Sequence, residues 1–356
     1  MSHPLAPCEV PLFTPQLPGT GGSVRISEED FRVEELPLYA ASGSGSHLYV
    51  TVEKWGRTTP DVARELAHAL GARERDVGYA GLKDKRAVTL QRFSLPVPPR
   101  APDLVQRAAA ASGPGWRVLA TALHGNKLRP GHLRGNRFRI VIRGVSPGGL
   151  ERAELICAEL RGRGAANLFG PQRFGQRGDN AALGAAILRR DAAPRDRFLR
   201  RLALSALQGE LFNRCLAARL RDGLFERAIP GDVLRKRQSG GMFVSEDAAA
   251  DTDRVRSGEV DPAGPLPGHS LFAARGEAFE REQAVLADAG IDPRSFAVGG
   301  GEMEGARRPY RLAPEELRVA PEGSDALVLN FALPKGSYAL CVLREVMKSD
   351  APGEVE

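Results

Sequence analysis

Residues Gly81 to Gln91 read G-L-K-D-K-R-A-V-T-L-Q, which sets one carboxylate, Asp84, between Lys83 and Lys85 at a polar turn. Flanking cations favour the ionised form of an aspartate, the form that a nucleophile or a base needs and a general acid does not. Taken alone, the same string is an ordinary solvated turn. Other chemistries find less to work with. The six histidines are dispersed, with no H-E-x-x-H and no H-x-E joined to C-x-x-C, so zinc chemistry lacks its ligands. There is no G-x-x-x-x-G-K-[ST] phosphate loop, and Gly299 to Gly301 do not join a strand to a helix as a dinucleotide site requires. A reaction without metal or cofactor is expected.

Asp84 needs rigid neighbours, and the hydrophobic pattern supplies them. Val77 to Ser94 reads as a strand entering the turn and a second strand leaving it. Upstream, Val24–Ile26 and Phe31–Glu35 read as short strands, and Leu48, Val50 and Val52 alternate with Tyr49, Thr51 and Glu53 as a half-buried strand does. A helix follows, with Thr59 expected as its N-cap, Pro60 at its first position, and Val62, Leu66, Ala69 and Leu70 on one face. Downstream, Phe138, Ile140 and Ile142 alternate with Arg137, Arg139 and Val141, a strand with one apolar and one largely cationic face. Leu150, Ala153, Cys157 and Leu160 mark a helix behind it. The stretch up to about Gly22, rich in Pro and Gly, reads as a loose lead-in.

From about Gly164 the texture changes. Strand signals nearly vanish, and Asp196 to Arg221 reads as a long helix with Leu199, Leu202, Ala203, Ala206 and Leu207 in a stripe. Residues 251–270 read as a Pro/Gly-rich loop, Glu277 to Ala289 as a further helix, and a strong strand returns at Leu327, Leu329, Phe331 and Leu333. The pattern implies a mainly helical insertion, 164–312, within a sheet domain made of 1–163 and 313–356. A chain of 356 residues suits two domains.

The formal charge is +6, and its distribution is more telling: from Leu104 to Leu150 there is no Asp or Glu, while Arg107, Arg117, Lys127, Arg129, Arg134, Arg137, Arg139 and Arg143 all fall in that window. A positive surface for a polyanion is expected there. The four cysteines, Cys8, Cys157, Cys215 and Cys341, are scattered and form no C-x-x-C pair, which fits a reducing compartment. No signal peptide pattern opens the chain, and the apolar run Ala326–Leu333 is too short to span a bilayer, so a cytoplasmic protein without a membrane is expected.

The string Tyr79 to Gln91 resembles the catalytic motif of the TruD pseudouridine synthases. Five further segments resemble that family in the family's order: Asp30–Glu35 (D-F-R-V-E-E), Gly135–Ile140 (G-N-R-F-R-I), Asn167–Gly175 (N-L-F-G-P-Q-R-F-G), Gly264–Gly268 (G-P-L-P-G) and Leu333–Glu345 (L-P-K-G-S-Y-A-L-C-V-L-R-E). The resemblance runs from about residue 24 to residue 348. It implies an α+β fold, a pseudouridine synthase-like catalytic domain with a mixed, mainly antiparallel sheet and flanking helices, carrying the inserted TRUD domain. It makes Asp84 the catalytic aspartate, Phe31 a contact to the target base, Asn136 a polar substrate contact, and Tyr338 an aromatic at the base pocket where the family often has Phe. Arg25 takes the place of a basic residue that pairs with the aspartate. The implied substrate is tRNA, modified at uridine-13, with no cofactor, no obligate protein partner and a monomeric enzyme. The alternative reading of Phe31 and Tyr338 is core packing, and of Asn136 a turn; Phe138 and the pair Phe169 and Phe174 read as packing residues, whereas Gln172 and Arg173 could touch RNA. Two other classes fit the residues: a non-catalytic tRNA-binding or tRNA-folding protein, and a hydrolase, which would need a second carboxylate or a histidine near Asp84.

Overall fold

The alternating residues of the first third become strands that pair with partners far away in sequence. A computed structural model describes residues 5–98 and 103–349; the first four residues, residues 99–102 and the tail beyond Ser349 lie outside that range. In chain order the elements begin with β1 (Phe31–Pro37), β2 (His47–Lys54), α1 (Thr59–Leu70), β3 (Gly78–Tyr79), β4 (Val88–Pro96), α2 (Leu104–Ala109), β5 (Ser112–Gly113), β6 (Trp116–His124), β7 (Leu133–Arg143) and α3 (Gly149–Arg163). There follow β8 (Ala165–Ala166), α4 (Asn180–Leu188), α5 (Arg197–Arg221), β9 (Val233–Lys236), β10 (Met242–Val244), α6 (Ala248–Arg256), β11 (Val260–Leu266), α7 (Gly276–Asp288), β12 (Ala306–Pro309) and β13 (Arg311–Leu312). The chain closes with β14 (Glu315–Pro321), β15 (Ala326–Pro334) and α8 (Leu340–Met347). It divides into two compact units, one of Pro18–Arg161, Pro314–Ala339 and Val346–Glu356, the other of Met1–Leu17, Gly162–Ala313 and Leu340–Glu345.

The first unit is built on a nine-stranded sheet in the order β14-β15-β7-β1-β4-β2-β6-β5, with β3 beside β4. Only β1 and β4 run parallel, and the remaining pairings are antiparallel, which is the mixed, mainly antiparallel sheet expected. The parallel pair matters most. Arg32 lies opposite Val88, so the turn that precedes β4 and the segment that precedes β1 emerge at the same end of the sheet. Helix α1 covers one face through Val62, Ala63, Leu66, Ala67 and Leu70, packed with Leu48, Val50 and Val52 of β2 and Phe93 and Leu95 of β4. Burying the valine, leucine and phenylalanine side chains among these stabilises by about 1.5–3 kcal/mol each before entropy is counted.

Three readings of this unit are corrected. Val24–Ile26 is a bend rather than a strand, because Arg25 takes a left-handed backbone with φ of 61° that no strand allows. The N-cap of α1 is Thr58, one residue earlier than expected: its hydroxyl accepts from Asp61 N and closes a capping box with the Asp61 side chain. The cationic window is largely neutralised by carboxylates that lie outside it in sequence. Arg107 pairs with Asp103, Arg117 with Glu53, Arg134 with Glu315, Arg137 with Glu34 and Glu316, Arg139 with Glu322, and Arg143 with Asp30.

The second unit packs α5 against α4, with Leu204, Leu207 and Leu211 in a core shared with Ala185, Ile187, Leu188 and Leu286. It also holds an antiparallel four-stranded sheet, β10-β9-β11-β12, and the short pair β13-β8. Residues 251–270 are therefore not a loop but most of α6 and all of β11. The prolines of β11 hid the strand. Its partner changes midway, from β9 over Val260–Pro262 to β12 over Ala263–Leu266, so each half pairs on one side and a missing proline N–H is tolerated on the other. Gly264 is required here, since a Cβ would meet the Tyr310 ring at 2.3 Å. The lead-in is anchored rather than loose: Glu345 Oε1 accepts from Phe13 N at 2.8 Å, and Oε2 accepts from Thr14 N at 3.0 Å and Thr14 Oγ1 at 2.8 Å. In the Asn167–Gly175 segment, Phe169 and Phe174 are buried, and Arg173 bonds the Ser205 hydroxyl while lying over the Phe169 ring. Among the described residues, no helix is long and apolar enough to cross a membrane.

Candidate active site

The turn between β3 and β4 is braced at three points. Gly81 O accepts from Gln91 Nε2 at 2.6 Å, Lys83 N donates to Thr59 Oγ1 at 3.0 Å, and Asp84 O accepts from Lys54 Nζ at 2.9 Å. Thr59 Oγ1 in turn donates to Gln91 Oε1 at 2.8 Å, so one buried hydroxyl ties α1, the turn and β4 together. That is the use of the second threonine of the pair: Thr58 caps the helix, and Thr59 is freed to hold the turn.

The Asp84 side chain is 41% exposed, and Arg25 Nη2 donates to its Oδ2 at 2.9 Å. The partner of Asp84 is thus the arginine, not either flanking lysine. Lys85 is exposed, and the Lys83 ammonium turns inward, donating to Asn136 Oδ1 at 2.7 Å and standing 3.2 Å from Glu35 Oε2. Glu35 and Asn136 face each other across β1 and β7, which is why they share one cation. Burial pushes the Glu35 carboxyl above the ordinary carboxylate range, and the charge of Lys83 pulls it partly back. Lys54 is fully buried, and burial presses its pKa down to about 8; Lys83 adds to the fall, while Asp84 and Glu28 oppose it.

The Arg25 guanidinium lies 4.2 Å from the centroid of the Phe31 ring, the separation of a cation–π contact. Its strained backbone is held from both sides. Ser23 exchanges backbone hydrogen bonds of 2.8 Å with Arg143, and the Arg143 guanidinium clasps the buried carboxylate of Asp30, with Nη2 at 2.6 Å from Oδ1 and Nε at 2.9 Å from Oδ2. Asp30 Oδ2 also accepts from Ser27 N at 3.0 Å, which fixes the short turn that launches β1 and with it Phe31. Phe31 is 3% exposed, packed edge-on to Phe138, so the ring lies beneath Arg25 instead of standing open to solvent.

Of the residues named from sequence, Arg25, Phe31 and Asp84 are joined directly, and Asn136 reaches them through Lys83. Tyr338 is not brought to the Asp84 end of the sheet by register: β15 sets Leu333 opposite Asn136 and Pro334 opposite Gly135, level with the last residues of β1, and half-buried Tyr338 follows beyond a turn at Gly336, whose φ is 80°. Sequence reading missed Lys54, Thr59, Gln91 and Glu35 as parts of the site. Glu35 and Gln91 carried a signal, since one closes the D-F-R-V-E-E segment and the other closes the Gly81–Gln91 string. Among the described residues, no three His, Cys, Asp or Glu side chains are grouped so as to hold a metal ion.

The arrangement presents one carboxylate to solvent, hydrogen-bonded to a guanidinium and mounted on a rigid turn. It can attack an electrophilic carbon or take up a proton. Comparison with known proteins agrees in kind. Residues 8–194 and 195–346 match the family of tRNA pseudouridine synthase D (TruD). The tRNA pseudouridine synthase D of Anaeromyxobacter sp. (strain Fw109-5) is 54% identical over 349 residues, covering 96% of this chain and 97% of that one. That of a strain of Thermus thermophilus is 43% identical over 352 residues, covering 98% and 95%. The fold matches the crystal structure of the putative tRNA pseudouridine synthase D of Methanosarcina mazei with a TM-score of 0.75 at 24% identity, over 96% of this chain and 99% of that one.

Proposed function

Because the chain belongs to the tRNA pseudouridine synthase D family, we propose that it isomerises uridine to pseudouridine in tRNA, at uridine-13, with Asp84 acting on the ribose of a nucleotide turned out of the stack. The N1–C1′ bond breaks, the freed uracil turns, and C5 bonds to C1′; the proton lost from C5 is matched by one gained at N1, so no oxidant or reductant is consumed. Asp84 acts either as the nucleophile at C1′ or as the base that takes the C2′ proton to give a glycal. In both cases the carboxylate must reach a ribose from a fixed position, and a flipped nucleotide is the form in which that ribose is accessible.

The observation that carries this reading is the half-open carboxylate of Asp84, bonded to Arg25 above the Phe31 ring on a turn braced at three sites. An ion pair this exposed adds little to stability, so its value lies in orientation. Phe31 seats Arg25 first; it stacks on the base once the guanidinium yields. Tyr338 supplies a second aromatic face, and Asn136 a polar contact. The catalytic part comprises 1–163 and 313–356, with 164–312 an inserted tRNA-holding part, and the enzyme works in the cytoplasm as a monomer without a cofactor.

The test is to incubate wild type and Asp84→Ala with unmodified tRNA transcripts and map pseudouridine by carbodiimide modification. Product at position 13 with wild type alone is expected. Product with both proteins would overturn the role of Asp84, and product with neither across a full tRNA panel would leave a binding protein.

A further inference from the structure

Lys54 ends β2 as a fully buried lysine, and among the described residues no carboxylate lies within ion-pair distance of its ammonium. A buried cation is costly unless a charge or several acceptors compensate it. Here the compensation is two backbone carbonyls: Nζ donates to Asp84 O and to Arg57 O, each at 2.9 Å. Those carbonyls belong to the turn that carries Asp84 and to the segment leading into α1, so the ammonium clamps one to the other. Methionine would fill the same volume at lower cost. We propose that Lys54 is a positioning residue for pseudouridine formation, holding the Asp84 main chain so that the carboxylate meets the ribose at a fixed distance.

This rests on the reading of Asp84 given above, and the geometry says why the clamp is charged. The groups that face the Lys54 ammonium are Asp84 and Glu28, which favour its protonated form, and Lys83, which opposes it; burial is the largest influence and lowers its pKa to about 8. The neutral amine keeps two donors but loses the charge that faces Asp84. Turnover therefore falls as the pH rises through about 8, while tRNA binding, made elsewhere, does not follow.

The experiment compares wild type, Lys54→Met, Lys54→Gln and Asp84→Ala, all checked for native melting, by single-turnover pseudouridine formation and by tRNA affinity across an alkaline pH series. A displacement of the turn by about 1 Å costs on the order of a hundredfold in rate, so Lys54→Met is expected to lose about that much with affinity within about twofold. Lys54→Gln, which keeps donors without charge, recovers part of the rate, and neither variant shows the alkaline limb of the wild type. Wild-type turnover by Lys54→Met, or equal losses of rate and affinity, overturns the proposal. Should both variants fail to fold, the wild-type profile decides: a rate that stays flat through pH 8 sinks it. Activity in Asp84→Ala would instead defeat the reading of Asp84 itself, so the two failures are told apart.

Discussion

Asp30 is 1% exposed and binds three donors, Arg143 Nε, Arg143 Nη2 and Ser27 N. Asparagine would turn an amide NH2 toward those donors and leave some of them unmet, a loss of about 1–3 kcal/mol. The hydrogen bonds from Arg143 hold the Asp30 carboxyl below its ordinary value of 3.8. A depressed carboxylate contributes stability that is complete above the unfolded value and is lost as pH falls through the folded one. The wild type should therefore exceed Asp30→Asn by its full margin at neutral pH, and the margin should close only below about pH 3.8. Urea unfolding along an acid series measures it; a margin already gone at about pH 5 would refute the assignment. The same residue shows what sequence could and could not reveal. Asp84 and Arg25 stood out through motifs, and their pairing followed. Lys54 and Thr59 did not, because each acts on the turn from another element through one hydrogen bond, and such a bond leaves no periodic trace in the residues around it.

At the level of elements, the site depends on how closely β7 and β15 approach. A Cβ on Gly135 would stand 2.1 Å from Leu333 O and 3.2 Å from Pro334 Cα, so the strands would have to separate just where Asn136 faces Glu35. Gly135→Ala is expected to destabilise by about 1–3 kcal/mol and to slow turnover by about tenfold or more through the shifted Asn136–Lys83 contact. The control is Gly162 inside α3, where a Cβ meets open space; alanine there should raise stability by about 0.5–1 kcal/mol. Thermal melts and single-turnover rates decide, and a Gly135→Ala protein with native rate and melting would contradict the close approach. Strand β7 was legible because Phe138, Ile140 and Ile142 alternate with Arg137 and Arg139. The smaller sheet was not, because β11 reads V-D-P-A-G-P-L and prolines normally argue against a strand. Adjacent threonines at 58 and 59 are equally good caps by type, so the helix start could be placed only to within a residue.

For the molecule as a whole, the question is which arginines are left for a polyanion. The acid-free window Leu104–Leu150 looked the more basic in sequence, yet six of its eight cations are paired to carboxylates brought by neighbouring strands, loops or turns. Charge read along the chain and charge displayed on the surface differ because strand pairing joins residues far apart in sequence. Arg195, Arg197 and Arg201, at the start of α5, are exposed, and among the described residues no carboxylate lies within ion-pair distance of them. Phe198, between them, is 74% exposed, a ring face open to a base. A phosphate can displace water from a free guanidinium, whereas at a paired one it must first displace a carboxylate. Replacing Arg195, Arg197 and Arg201 together by alanine should therefore weaken tRNA binding and flatten the slope of log affinity against log salt by about 0.7–0.9 for each phosphate no longer held. The matched triple of Arg134, Arg137 and Arg139, each paired to glutamate, should change that slope less. Titrations with unmodified tRNA at several salt concentrations measure both, and a larger change in the second triple would place the polyanion on the paired strand face instead.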